Sequence, residues 1–376
     1  MQPELIPLYE DEKIMSSTSK SPLIYDPSQF MHVKEISLSE ETQQLLKQAQ
    51  QVYQENFDGK TWYGRCIFIS WYCSLGDCTF CFRSTNQHKE MHPEGSRRSM
   101  GSILLEALFS RIFKWRIEFV TGGYGIMPFP DLLEIVKNIS MVYGEKVWLN
   151  LGVMAQKHLE EMRPYVKGMY GSLETVTPGL HEQVCPSKPL GPYERMFERL
   201  EGFKKSICII VGMGDRIEDI QHLFDFIEKY QIDRVTLYAL KPVRGTPFTH
   251  GPSSDEYLQW LARLRIRFPK LQIVAGTNLR RCEEAGYLMQ AGANALTKFP
   301  ATKQFATKKA YLVTKLIQEQ GRNFTSTITA LPNIDWNAEI ESLQIQEEYK
   351  TEMKAKISSY LQRFRNPLDK DGDMEE

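Results

Sequence analysis

Residues 66–81 read Cys66-Ile-Phe-Ile-Ser-Trp-Tyr-Cys73-Ser-Leu-Gly-Asp-Cys78-Thr-Phe-Cys81. An apolar, β-branched run passes directly into a loop with three cysteines. A strand that ends in a thiol-dense loop is a place to hold a metal. The odd number of thiols says more. A structural zinc site wants four protein ligands, and so does an ordinary electron-carrying iron–sulfur cluster. Three cysteines on a [4Fe–4S] cube leave one iron open to a substrate or cofactor. The competing reading is a zinc knuckle whose fourth ligand is His88 or His92.

Working outward, strand-like runs recur at 66–72, 117–121, 146–152, 169–176, 206–212, 234–240, 271–275 and, more weakly, 293–298. Segments of helical period lie between them: 102–113, 129–143, 193–204, 217–230, 254–268 and 283–291. Repeated strand–helix units argue for a parallel sheet. Eight of them suit an α/β fold of the (β/α)8 TIM type, closed or partly open, with a doubly wound open sheet as the alternative. The expected divisions are 1–59, an N-terminal extension and helix; 60–330, the barrel; and 331–376, a C-terminal helix and acidic tail. Residues 1–36 read as irregular, with Ser16–Lys20 as a flexible patch. Ser37 is the expected N-cap of a helix over 37–54, and residues 304–364 read as helices following the barrel.

In a parallel barrel the active site lies at the C-terminal ends of the strands. The unusual residues fall there. The cysteine loop follows the first strand, and Gly122-Gly123-Tyr124 the second. Asn150 ends the third and Glu174 the fourth. Gly212-Met213-Gly214-Asp215 follows the fifth, and Lys241-Pro-Val-Arg244-Gly-Thr-Pro247 the sixth.

Composition bounds the partners. The chain has 376 residues, 42% of them apolar and 25% charged, with a formal net charge of -1. That balance argues against a nucleic-acid partner. No apolar run reaches about 18 residues, so no membrane span is expected. The N-terminus lacks a basic start followed by an apolar core. The seven cysteines therefore read as thiols or metal ligands in a reducing cytoplasm.

Each candidate has a plain alternative. Gly122 and Gly123 let a backbone approach a ligand, or make a tight turn. Glu174 suits an ammonium or ribose hydroxyls and Arg195 a carboxylate; otherwise both are surface charges. Asn150 is a pocket group or a half-buried polar residue. Lys241 and Arg244 aim positive charge at a pocket, or are solvated. Cys66 and Cys208 read as buried thiols in strands. Cys185, in Val-Cys-Pro-Ser-Lys-Pro189, lies nearer the rim. The Gly-Met-Gly stretch is a turn by default, without a dinucleotide spacing.

Together these motifs resemble the radical S-adenosylmethionine (SAM) superfamily over residues 60–330. Within it they are most similar to the biotin-synthase-like group, with Gly245-Thr-Pro247 the most telling feature. The usual cysteine spacing is three residues then two, whereas here it is four then two. Gly-Gly-Glu is replaced by Gly-Gly-Tyr124. The seventh strand ends Ala275-Gly-Thr-Asn278, without the arginine of biotin synthase. Ile69-Ser-Trp-Tyr-Cys73, Thr121-Gly-Gly-Tyr-Gly125 and Val184–Pro189 are similar to the branch serving [Fe]-hydrogenase (iron–guanylylpyridinol) cofactor biosynthesis.

The resemblance implies that Cys73, Cys78 and Cys81 hold a [4Fe–4S] cluster whose open iron binds SAM. It further implies that Gly122 and Gly123 face the methionine end, and that Asn150, Glu174 and Arg195 bind its polar atoms or the ribose. Phe80, Val211 and Met213 would flank the adenine. Tyr124 and Glu174 would serve the reaction, and Lys241, Arg244 and Cys185 a small-molecule substrate. An electron donor such as ferredoxin or flavodoxin and an anaerobic host are implied as well.

Overall fold

The barrel strands are β1 (Lys60–Phe68), β2 (Arg116–Thr121), β3 (Val147–Asn150), β4 (Val166–Glu174), β5 (Lys204–Val211), β6 (Arg234–Ala239), β7 (Gln272–Gly276) and β8 (Ala295–Thr297). The computed structural model describes residues 5–7, 36–86 and 92–366. All eight strands are parallel to their neighbours, and β8 returns to pair with β1 through Trp62–Ala295, Tyr63–Leu296 and Gly64–Thr297. That seam closes the barrel and excludes the open doubly wound sheet.

Why these residues make a barrel follows from burial on both faces. Parallel strands under covering helices run nearly unbroken in apolar residues, and β6 is buried at every position. Inside, Cys66, Phe119, Trp148, Tyr170, Cys208 and Tyr238 form one apolar layer. Within it sits one carboxylate. Glu118 accepts hydrogen bonds from Tyr170 Oη at 2.6 Å and Thr236 Oγ1 at 2.7 Å. Arg234 donates to the Glu118 carbonyl at 2.9 Å, with its other guanidinium nitrogen 3.8 Å from the carboxylate. A fully buried charge is tolerated when it is paired and hydrogen-bonded. This layer fills the middle of the barrel and leaves its C-terminal rim as the end that opens.

Outside lie α1 (Glu40–Asn56), α2 (Met100–Ile112), α3 (Phe129–Tyr143), α4 (Gln156–Met162), α5 (Leu180–Val184), α6 (Gly191–Arg199), α7 (Ile220–Tyr230), α8 (Ser254–Arg267), α9 (Ala285–Gln290), α10 (Lys308–Glu319), α11 (Trp336–Glu341) and α12 (Glu347–Arg365). The N-cap of α1 is Ser39, not Ser37: its Oγ accepts from Thr42 N at 3.2 Å, and Asp255 Oδ1 of α8 accepts from Ser39 N at 2.7 Å. A tertiary partner thus sets where the helix starts. The first strand also differs. It begins at Lys60 and ends at Phe68, because Thr61, Trp62 and Tyr63 are buried by pairing. Trp71 N instead donates to Ser96 O at 3.0 Å, outside the sheet. Helices α4 and α5 are too short to show a period. Beyond the barrel, Asn323–Phe324 runs parallel beside the start of β1, and Leu5–Pro7 pairs antiparallel with Ala330–Pro332. The patch 16–20 and the acidic tail 369–376 lie outside the described residues. Among those residues no helix is long and apolar enough to cross a membrane.

The C-terminal helix α12 is anchored by Phe364, fully buried against Phe305 (4.8 Å between ring centroids), Phe109 (5.2 Å) and Phe113 (5.6 Å). Phe364→Ala is expected to cost about 3–5 kcal/mol. Thermal melting should register that as a drop of several degrees, whereas Ser358→Ala, on the exposed side of α12, should stay within about 0.5 kcal/mol of the parent.

Candidate active site

The cysteine loop is held by main-chain contacts to two neighbouring segments and by turns of its own. Ser74 N donates to Tyr124 O at 3.0 Å, and Thr79 N to Val184 O at 2.9 Å. Cys81 N donates to Cys78 O at 3.0 Å, and Ser84 N to Cys81 O at 3.0 Å. The loop after β1 is thereby tied to the Gly-Gly-Tyr turn after β2 and to the end of α5. At the first tie the two backbones touch. A Cβ on Gly123 would lie 2.0 Å from Tyr72 O and 2.4 Å from Cys73 Cβ. One residue on, Tyr124 N donates to Cys73 Sγ at 3.4 Å.

Cys73, Cys78 and Cys81 line one cavity of about 300 Å³, together with Phe80, Gly122, Gly123, Tyr124, Asn150, Glu174 and Lys188. His92 is exposed and His88 lies outside the described residues. Among the described residues no three Cys, His or carboxylate side chains gather to hold a single ion. A cube with iron at its corners takes thiolates spread wider than the tetrahedron around one ion. Three sulphurs on one cavity, with no fourth protein ligand among the described residues, fit a [4Fe–4S] cluster with one open iron.

The surroundings favour thiolate at Cys78. A hydrogen bond from the Cys185 thiol lowers the Cys78 thiol from its ordinary value against burial, with help from the Lys188 ammonium. That contact and burial push Cys185 itself up. Burial also raises Cys81, with Arg83 opposing.

The same cavity is lined by a buried ion pair. Lys188 Nζ lies 2.8 Å from Glu174 Oε1, both side chains being about nine-tenths buried. Burial alone would strip the Lys188 proton, but Glu174, with Cys185 and Cys78 behind it, outweighs that and holds the ammonium well above its ordinary range. Glu174 has a left-handed backbone, φ 68°, beside an irregularity in the β4–β5 register. Such strain costs about 1–3 kcal/mol and collects at functional sites. The segment around this pair is braced: His181 bridges Thr175 O and Lys188 O, each at 2.8 Å, and Asp215 accepts from Thr175 at 2.6 Å and Thr177 at 2.7 Å. Asn150 Oδ1 accepts from Ser172 Oγ at 2.9 Å, and the hydroxyls of Tyr124 and Tyr193 meet over the cavity.

Several expected residues are elsewhere. Arg195 is exposed and absent from the cavity, because α6 turns Tyr193, Met196 and Phe197 inward. Val211 is buried in the core under the helices; its strand neighbour Ile210 faces the cavity, as the two-residue period requires. Met213 packs with Val184, Cys185 and Leu240 behind the lining. Cys185 is 1% exposed and sits behind Cys78, so it does not face an open substrate space. Arg244 is exposed outside the cavity, and Lys241 lines a second, adjoining cavity. The structure adds Lys188, Tyr193, Cys208, Tyr238 and Lys298 to the first cavity. Of these only Lys188, held between Ser187 and Pro189, stands in a phrase that the sequence marks as unusual.

Comparison with known proteins agrees with this geometry. The Biotin and Thiamin Synthesis associated domain matches residues 237–327. An uncharacterised protein of Methanocaldococcus jannaschii is 30% identical over 343 residues, 85% of this chain and 95% of that protein. Biotin synthase of Thermotoga neapolitana is 23% identical over 258 residues, 66% of this chain and 86% of the enzyme. The crystal structure of methylornithine synthase (PylB) superposes with a TM-score of 0.65 at 19% identity, covering 80% of this chain and 94% of that one.

The contact at Gly123 predicts a specific defect. Gly123→Ala should leave the circular dichroism spectrum of the folded barrel intact and displace the Cys73 loop. Anaerobic reconstitution should then load less than half of the parent's iron and sulfide per chain; loading equal to the parent would contradict the close approach.

Proposed function

The chain belongs to the biotin-synthase-like group of the radical SAM superfamily, and from that premise we propose that its own side chains divide the SAM cavity between a thiol wall and a paired-charge wall. As in that group, it is an enzyme whose cofactors are a [4Fe–4S] cluster and SAM. Bound together, these supply one-electron reductive cleavage of SAM to methionine and a 5′-deoxyadenosyl radical. The observation that carries the reading is the placement of Cys73, Cys78 and Cys81 on the same cavity as the Glu174–Lys188 pair.

Cys73, Cys78 and Cys81 are the cluster ligands. Lys188 takes the methionine carboxylate, the role that sequence reasoning assigned to Arg195, and Glu174 takes the ammonium or the ribose hydroxyls. Gly122 and Gly123 present main chain without side chains. Phe80 and Ile210 flank the adenine. Tyr124 and Tyr193 close the wall beside Cys73 and keep water from it. Chemistry of this kind depends on the protein for orientation and exclusion of solvent.

The substrate is a small molecule, and an electron donor such as ferredoxin or flavodoxin reduces the cluster. The finer reading is a step in forming the pyridinol ring of the [Fe]-hydrogenase cofactor. It is supported by three phrases, 69–73, 121–125 and 184–189, each of which lies at the SAM cavity or directly behind it. Deleting the gene from a host that makes the cofactor should abolish the iron–guanylylpyridinol; normal cofactor levels would sink this step while leaving the radical SAM reading in place.

Two measurements test the site. Anaerobic reconstitution with iron and sulfide, then dithionite and SAM, should give 5′-deoxyadenosine. Cys78→Ala should reduce the product to background, and about four iron atoms per chain should be present. Separately, Lys188→Met should weaken SAM binding about 10–100-fold, the cost of one charge-assisted hydrogen bond, and Lys188→Arg should recover most of it. Arg195→Ala should stay within about twofold of the parent. The reverse ranking would return the carboxylate to Arg195.

A further inference from the structure

A second cavity of about 450 Å³ opens beside the first and shares Phe80, Ile210, Tyr238 and Lys298 with it. Its walls come from the ends of β6, β7 and β8. Four cationic side chains line it: Lys241, Arg280, Lys298 and Lys303. No carboxylate lines it. Elsewhere this chain pairs many of its charges, as at Arg65–Glu106, Arg267–Glu228 and Arg281–Glu284. Among the described residues none of these four has a carboxylate within ion-pair distance. Four solvent-exposed cations without acidic partners around one hollow make a positive patch that attracts an anion.

Lys298 marks the spot. It follows directly on β8 with φ 69°, a conformation that a lysine adopts only against strain. Its ammonium reaches over the rings of Tyr238 (4.8 Å to the centroid) and Phe68 (5.6 Å), at the boundary of the two cavities. Lys298 is exposed to solvent, yet its backbone strain and ring contacts hold its ammonium at this boundary. The location has a physical precedent as well. In (β/α)8 barrels the loops after strands 7 and 8 frequently bind phosphate, and Gly276–Arg280 and Lys298–Lys303 are those two loops here.

We propose that this second cavity binds a dianionic oxyanion of the substrate, a phosphate monoester or a pair of carboxylates, and so places the rest of the substrate at the Phe80–Lys298 opening toward the cluster cavity. The inference rests on the radical SAM reading of the first cavity and names the substrate class for it. Arg280 supplies the planar fork suited to such a group, and the lysines supply point charge. A neutral or cationic substrate has no complement here.

Isothermal calorimetry on the anaerobically reconstituted protein, with no SAM and no reductant, tests it with three probes: inorganic phosphate, succinate and acetate. At pH 7.5 phosphate or succinate should bind saturably and at least tenfold more tightly than acetate, with affinity falling as salt rises. The better of the two identifies the substrate's anion. Arg280→Gln and Lys303→Gln should each weaken that binding about tenfold. Lys298→Gly should weaken it similarly while keeping or raising the melting temperature, because glycine relieves the positive φ. A merely structural lysine would not separate the two readouts. Absence of saturable binding by both dianions, or binding unchanged in Arg280→Gln and Lys303→Gln, overturns the proposal. Because no electron or SAM enters the measurement, such a result leaves 5′-deoxyadenosine formation to be judged separately.

Discussion

The approach of Gly123 to the Tyr72–Cys73 backbone governs the rest of the rim. Two loops from adjacent strands can cross at van der Waals contact only where one has no side chain. Once they cross, Tyr124 N reaches Cys73 Sγ and Tyr124 O accepts from Ser74 N. The thiol loop is then fixed to β2 before any ligand is bound. Preorganisation of this kind matters for a three-thiol site, because among the described residues no fourth protein ligand gathers the loop around the metal. The second tie, Thr79 N to Val184 O, fixes the other half of the loop to the segment carrying Lys188. Thiols and ammonium therefore move as one unit.

Electrostatics follows from that unit. Lys188 is far too buried to stay charged without a partner, and Glu174 is turned toward it by a left-handed residue at a strand end. Each charge makes the burial of the other tolerable. Together they form a dipole on the cavity lining, with the ammonium close enough to favour thiolate at Cys78. A zwitterionic amino-acid moiety is the natural complement of a fixed carboxylate–ammonium pair, since it can replace each partner with its own opposite charge at little desolvation cost. A neutral ligand would leave the pair as it was and gain less. The Glu118–Arg234 pair below is different: it is enclosed on all sides by Tyr170, Thr236 and the main chain, and serves packing.

What the sequence made legible follows the same physics. The barrel was readable because buried parallel strands are apolar throughout and alternate with helices; 129–143 matched α3 to the residue. The start of β1 was not, because in Lys60–Arg65 the aromatics Trp62 and Tyr63 stand among Lys60, Thr61, Gly64 and Arg65, and their burial comes from closure against β8, a contact across more than two hundred residues. The cap of α1 moved from Ser37 to Ser39 for a like reason, a tertiary acceptor at Asp255. At the site, Cys73, Cys78, Cys81, Gly122, Gly123, Tyr124, Asn150 and Glu174 were placed by their position at strand ends, and all eight line one cavity. Arg195 was not, because its direction depends on the phase of α6, a nine-residue helix whose inward face is set by Tyr193 and Phe197. Lys188 was missed because it lies in an irregular loop, where no period announces burial. Lys298 was missed because nothing in its neighbours signals a positive φ.

The two cavities divide the work of the rim. Strands β1 to β4 contribute thiols, glycines, Asn150 and Glu174, and surround the redox chemistry. Strands β6 to β8 contribute Lys241, Arg280, Lys298 and Lys303. The halves meet at Phe80, Ile210 and Tyr238, an apolar waist with Lys298 across it. Besides its apolar atoms the waist carries the Tyr238 hydroxyl, buried without a hydrogen-bond partner, and the cations beyond it would hold the substrate by a group remote from the reacting carbon. Binding energy gathered at that remote group can position the carbon near the waist without any contact to it, the general way in which distant contacts serve a reaction.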